Sequence, residues 1–92
     1  MPIDARLDLH GLTQEQAHAR LDAFIRAQQA RGARCVLVIT GLGRAQSGVL
    51  RHITPRWLES PAHHERVLAY GTAHPRDGGE GALYVMLRKP RT

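Results

Sequence analysis

An aspartate and a histidine two residues apart, Asp8 and His10, are the side chains of this 92-residue chain best placed to move a proton. They sit in Leu7-Asp8-Leu9-His10-Gly11, where apolar and polar residues alternate up to a glycine. Such alternation reads as a half-buried strand that stops at a turn. Leu7 and Leu9 then share one face, and Asp8 and His10 share the other. Side chains two apart on a strand stand roughly 6–7 Å from each other, so both groups can face one substrate group. Histidine gives and takes protons near neutral pH, while the carboxylate can orient it, act as a base or hold a divalent cation. A plain surface pair on an edge strand would show the same pattern.

A second group of residues suits a phosphate. Thr40-Gly41-Leu42-Gly43-Arg44-Ala45-Gln46-Ser47-Gly48 follows an apolar run and precedes a helical pattern. Backbone N–H groups at such a junction can be free to meet an anion. Gly41 and Gly43 let the backbone approach closely, Gly43 is expected to need a positive φ, and Arg44 adds a cation. Taken alone the glycine pair also fits a simple turn. The loop lacks the P-loop lysine, and the chain is too short for a dinucleotide-binding fold.

Charge points the same way. Thirteen Lys and Arg against eight Asp and Glu give a formal charge of +5, and every cation but Lys89 is an arginine. Arginine forms bidentate phosphate contacts, so an anionic polymer is a fitting partner, although genomic base composition also enriches arginine. Glu80, set between glycines, is a further carboxylate candidate. His63, His64 and His74 lie in predicted loops and are expected in solvent. A structural zinc would want four ligands and commonly cysteine. Cys35 is alone, so it forms no internal disulfide, and its apolar neighbours make it a core residue.

The elements that must hold these groups are legible. The length supports one domain over residues 1–92, with a core of about 5–88. Thr13 and Gln16 form a capping box, and Ala17, Leu21, Phe24 and Ile25 follow as one helical stripe ending at Gly32. His18 and Asp22 fall off that stripe and are expected in solvent. Cys35 to Ile39 is a continuous apolar run, as in a strand buried on both sides. Leu50, Ile53, Trp57 and Leu58 mark a second helix, kinked at Pro55. Val67 to Thr72 and Ala82 to Arg88 read as the last two strands. The order is β-α-β-α-β-β, an α/β two-layer sandwich with a four-stranded mixed sheet and two helices on one face. Asp8 and His10 then lie on the open face, which suits a polymer better than an enclosed small molecule. With no leader-like or long apolar segment, the expected location is cytoplasmic, without a membrane partner.

Leu7-Asp8-Leu9-His10-Gly11, Thr40-Gly41-Leu42-Gly43 and Gly78-Gly79-Glu80-Gly81-Ala82-Leu83-Tyr84-Val85 occur in that order. Together they resemble the signatures of the Smr (small MutS-related) domain family, over about Leu7 to Arg88. The resemblance implies the same element order, similar to the C-terminal domain of bacterial translation initiation factor three. It also implies a nucleic-acid endonuclease that nicks DNA or cleaves RNA. Asp8 and His10 would then be catalytic, and Thr40, Gly41, Gly43 and Arg44 would bind phosphate. A divalent cation, Mg or Mn, is the candidate cofactor, with Asp8 as its candidate ligand. Relatives often carry Lys where this chain has Leu42, which removes a phosphate-binding cation. That departure keeps a second reading open: a non-catalytic module that binds nucleic acid or the ribosome. Stand-alone relatives often have an N-terminal extension, so a start just before the first strand fits a domain cut from a longer protein.

Overall fold

The computed structural model describes residues 2–43 and 46–90, the side chains of residues 46 and 47 excepted. Strand β1 covers Ala5–Asp8, helix α1 Gln14–Ala30, β2 Cys35–Ile39, α2 Gln46–Glu59 and a single turn, α3, Pro61–His64. Strand β3 covers Val67–Thr72, two 3-10 turns span Pro75–Asp77 and Gly79–Gly81, and β4 covers Ala82–Leu87.

Local chemistry sets these bounds. The Thr13 hydroxyl accepts from the Gln16 N–H at 3.1 Å, and Gln16 Oε1 accepts from the Thr13 N–H at 3.0 Å. That capping box satisfies two N–H groups at the helix start. Ala17, Leu21 and Ile25 of α1 are buried, as their spacing requires. Helix α2 runs unbroken through Pro55, burying Leu50 and Leu58, so the proline interrupts one hydrogen bond and does not divide the element.

The sheet order is β1-β2-β4-β3. β1 and β2 are parallel, as a strand–helix–strand unit demands, while β4 runs antiparallel to both β2 and β3. The register pairs Leu7 with Val38 and Val36 with Val85. These residues face the helices and pack with Leu9, Leu21, Ile25, Leu50 and Leu58 into the main core. Asp8 pairs with Ile39, and Arg6 with Leu37, on the opposite face.

Three features depart from the sequence expectation. The second face is not fully open, because Leu37, Ala73 and Ala82 form a small buried cluster there with Ile3, Ile39 and Tyr84 packed on it. An apolar run buried on both sides needs such a cover, which the N-terminal segment and residues 73–84 supply. Tyr84 is anchored across it: its hydroxyl donates to Asp77 Oδ2 at 2.5 Å and accepts from the His74 N–H at 3.1 Å.

The second departure is α3, where a break was expected. Ser60 and Pro61 start one helical turn, and that turn carries His63 inward to 1% exposure. His64 and His74 stay exposed as expected. His63 Nε2 lies 3.4 Å from Asp22 Oδ1, so Asp22 is also partly covered and bonded to Arg26 at 3.0 Å. Third, β1 ends at Asp8, so His10 lies in the turn and not on the strand.

His63 makes stability depend on pH. Burial pushes its pKa below the ordinary 6.5, outweighing the opposing pull of Asp22. The unfolded chain therefore binds the proton first as pH falls, so this contribution is complete above about 6.5 and is lost below it. Urea midpoints should fall from pH 7 toward 4.5, with a slope from this group of at most about 1.4 kcal/mol per pH unit. His63→Gln should flatten that segment of the profile. A wild-type profile level across the window would refute the assignment.

Candidate nucleic-acid site

The site is built where β1 and β2 end side by side. They are parallel, Asp8 pairs with Ile39, and the Leu9 N–H donates to Ile39 O at 2.7 Å. The residues that follow each strand, His10 and the Thr40–Gly43 loop, therefore emerge at the same edge of the sheet.

Asp8 and His10 are closer than strand spacing allows. Because the chain turns after Asp8, His10 folds back and its Nδ1 lies 2.6 Å from Asp8 Oδ1. The His10 backbone N–H donates to the same oxygen at 3.0 Å. An Nδ1–H donating to the carboxylate leaves Nε2 as the basic nitrogen of the ring. Both side chains face solvent, His10 at 66% and Asp8 at 49% exposure. Partial burial pushes the Asp8 carboxyl upward, but its hydrogen bonds from the His10 ring and amide prevail and hold it below the usual value. Both contacts fall on Oδ1, which leaves Oδ2 available to a further cation.

The glycine loop has a different internal division from the expected one. The Thr40 hydroxyl is buried and donates to Gly81 O at 3.3 Å, so its side chain holds the loop from inside. The N–H groups of Thr40 and Gly41 donate to the same carbonyl, at 2.8 and 3.0 Å. What the loop offers a phosphate among the described residues is thus the backbone of Leu42 and Gly43. The left-handed conformation expected at Gly43 is recorded at Gly41, with φ 86°. Leu42 is 61% exposed and adds no charge to the loop. Arg44 lies outside the described residues.

Gly81 brings the third motif to the same place. A Cβ on it would stand 3.2 Å from the Gly41 carbonyl carbon and from Leu42 Cγ, so a larger residue would push the two loops apart by a few tenths of an ångström. Glu80 points outward beside Arg51, 3.7 Å away, and does not join the Asp8–His10 pair through any recorded contact. Sequence reasoning overlooked Arg6. The register puts it on the face of Asp8, exposed and one strand repeat away. The alternation that paired Asp8 with His10 holds the same information two residues earlier.

Among the described residues no group of three His, Cys, Asp or Glu is arranged to hold a metal ion. A divalent cation at this site would depend on the Asp8 carboxylate together with water and the phosphate itself, a mode open to Mg²⁺. No helix of the described residues is long and apolar enough to cross a membrane.

Comparison with known proteins agrees with this layout. The chain is 40% identical over 87 residues to ribosome rescue factor SmrB of Vibrio vulnificus, and 43% identical over 84 residues to that of Yersinia enterocolitica. Those alignments take in 95% and 91% of this chain but 46% and 44% of the relatives, so the chain spans about half their length. YdaL, a stand-alone small MutS-related protein from Escherichia coli, superposes with a TM-score of 0.85 at 38% identity, over 96% of this chain and 67% of YdaL. The Smr domain of Thermus thermophilus MutS2 gives 0.80 at 30%, over 91% of this chain and 98% of that domain. The Smr domain profile matches residues 7–88, from the strand that bears Asp8 to the end of β4. Three motifs converging at one sheet edge, the fold that carries them and that match establish that the chain belongs to the Smr domain family.

Proposed function

We propose that this chain is a nucleic-acid-binding domain that works at the ribosome, with Asp8 and His10 as a phosphodiester-cleaving pair. The ribosomal half rests on the relatives named ribosome rescue factors, and they support binding more directly than turnover. The cleavage half rests on one observation, the 2.6 Å contact that orients His10 through Asp8.

In cleavage, a hydroxyl of water or ribose attacks phosphorus, one P–O bond forms, and the bond to the leaving oxygen breaks. His10 Nε2 takes the proton of the attacking hydroxyl, and Asp8 steadies the imidazolium through Nδ1. The leaving oxygen takes its proton from solvent, and His10 returns to its neutral form by giving up the Nε2 proton. Backbone N–H groups of Leu42 and Gly43 meet the phosphate oxygens as charge builds on them. A divalent cation, when bound, supplies Lewis-acid stabilisation of that charge.

Two assays test this reading. Purified protein is sedimented with ribosomes across a salt series, and incubated with labelled single-stranded RNA and supercoiled plasmid, with and without Mg²⁺ or Mn²⁺. Salt-sensitive co-sedimentation with cleaved RNA or nicked plasmid is expected. Binding without cleavage under any cation would leave a non-catalytic binding module. Neither binding nor cleavage would overturn both halves.

A further inference from the structure

A second cationic feature lies at the far end of the sheet from Asp8. Residues where β2 begins and β4 ends surround a cavity of about 330 Å³, floored by Ala33 and Met86 and rimmed by Arg34, Arg88 and Lys89. Leu68 closes one side. It sits at a register shift between Val67 and Ala69, and that irregularity turns it outward, 58% exposed. Leu68 thus adds an exposed apolar side chain beside the three cations.

Register ties one wall of this cavity, Met86, to the Asp8 face, while Ala33 and Leu87 belong to the main core. Asp8 pairs with Ile39 and Arg6 with Leu37 on β2. Leu37 pairs with Tyr84 and Cys35 with Met86 on β4. Alternation then places Asp8, Arg6 and Met86 on one side of the sheet. From the level of Asp8 to that of Arg34 is five residues along β2, about 16–17 Å at strand spacing. Arg6 stands between the two ends. The carboxylate near Arg34, Asp4, accepts from the N–H groups of Arg34 and Cys35, at 2.8 and 3.1 Å, and also feels the charges of Arg31 and Arg34. No ion pair is recorded for Arg34, Arg88 or Lys89 among the described residues.

We propose that this cavity is a second contact for the nucleic-acid strand, which runs along the exposed edge strand β1 from Asp8 and His10, past Arg6, to Arg34, Arg88 and Lys89. This inference rests on the nucleic-acid reading above and extends it. Phosphates meet the three cations, and a base lies against the apolar floor of Met86 and Leu68. The occupant is single-stranded, because an apolar floor can receive a base only when that base is free of a duplex partner. The span matches the lower end of the site sizes of about 4–16 nucleotides seen on single-strand platforms. An acidic peptide would satisfy the cations, but would leave unused the exposed Arg6 that stands between them and the Asp8–His10 pair.

The test compares three-nucleotide and eight-nucleotide oligouridylate and oligothymidylate by fluorescence anisotropy, at several salt concentrations. Wild type should bind the eight-mers more tightly. The triple variant Arg34→Ala, Arg88→Ala, Lys89→Ala should lose about tenfold on the eight-mers, with a salt slope shallower by about 2, and nothing on the three-mers. Leu68→Asp, which changes an exposed side chain and leaves the core alone, should weaken the eight-mers similarly. Replacing Arg34 and Arg88 with lysine should retain most of the binding. If the triple variant binds eight-mers with unchanged affinity and slope, the second contact is overturned while the site at Asp8 stands. Hexaglutamate binding that survives saturating eight-mer would overturn it in favour of an acidic partner. A wild type that binds neither oligonucleotide overturns both readings.

Discussion

His10→Ala is expected to lower cleavage of RNA or DNA by about 10²–10⁴-fold, the usual loss on removing a general acid or base. Asp8→Asn should lower it over a similar range, because an amide cannot balance the charge of a protonated His10. The two act on one transition state through a single 2.6 Å contact, so the double variant should be little worse than the worse single one. Both side chains are exposed, and thermal melts should place each variant within about 0.5 kcal/mol of wild type. Asp8→Asn should still bind uncleaved nucleic acid, since it removes a negative charge beside the phosphates. Single-turnover cleavage and anisotropy on the same preparations check these outcomes. If either variant cleaves like wild type, the pair has no catalytic role. If Asp8→Asn unfolds, Asp8 is a structural carboxylate.

Gly41→Val should damage stability and binding together. At φ 86° a β-branched side chain is strained, which costs about 1–3 kcal/mol. Each kcal/mol corresponds to a fall of about 4–8 °C in Tm for a small domain. The strain cannot be relieved by sliding the loop, because the Gly41 N–H is bonded to Gly81 O and the Gly81 backbone lies against it. Any relief therefore displaces Leu42 and Gly43, the backbone that would meet phosphate. Gly41→Asn should cost less, since asparagine tolerates the left-handed region. Equal melting temperatures for Gly41→Val and wild type would exclude this account of the loop.

Much of the scaffold was legible because single residues decide it. Thr13 and Gln16 mark the start of α1, and the apolar run at Cys35 marks a doubly buried strand. The alternation at Leu7 and Leu9 put Asp8 on the correct face. The site was legible only as a set of residue types. Alternation continues through His10, so nothing in the sequence shows that pairing stops at Asp8 and that the ring folds back. Thr40 looked like a phosphate contact, yet its hydroxyl serves Gly81, a partner 41 residues away that no local pattern reveals. His63 beside His64 looked solvated, because a one-turn helix leaves too little periodicity to tell its inner face.

Strand β4 is the last of the described elements, yet it lies between β2 and β3. β3 joins the sheet through β4 alone, and Gly81, which seats the glycine loop, directly precedes β4. A chain still being synthesised can form α1 and pair β1 with β2, but it holds no complete sheet. The residues of β4 close the sheet's long-range contacts, the slowest kind to form. A nascent chain therefore carries Asp8 and His10 well before it carries Gly81, so the candidate site is assembled only once synthesis has passed β4.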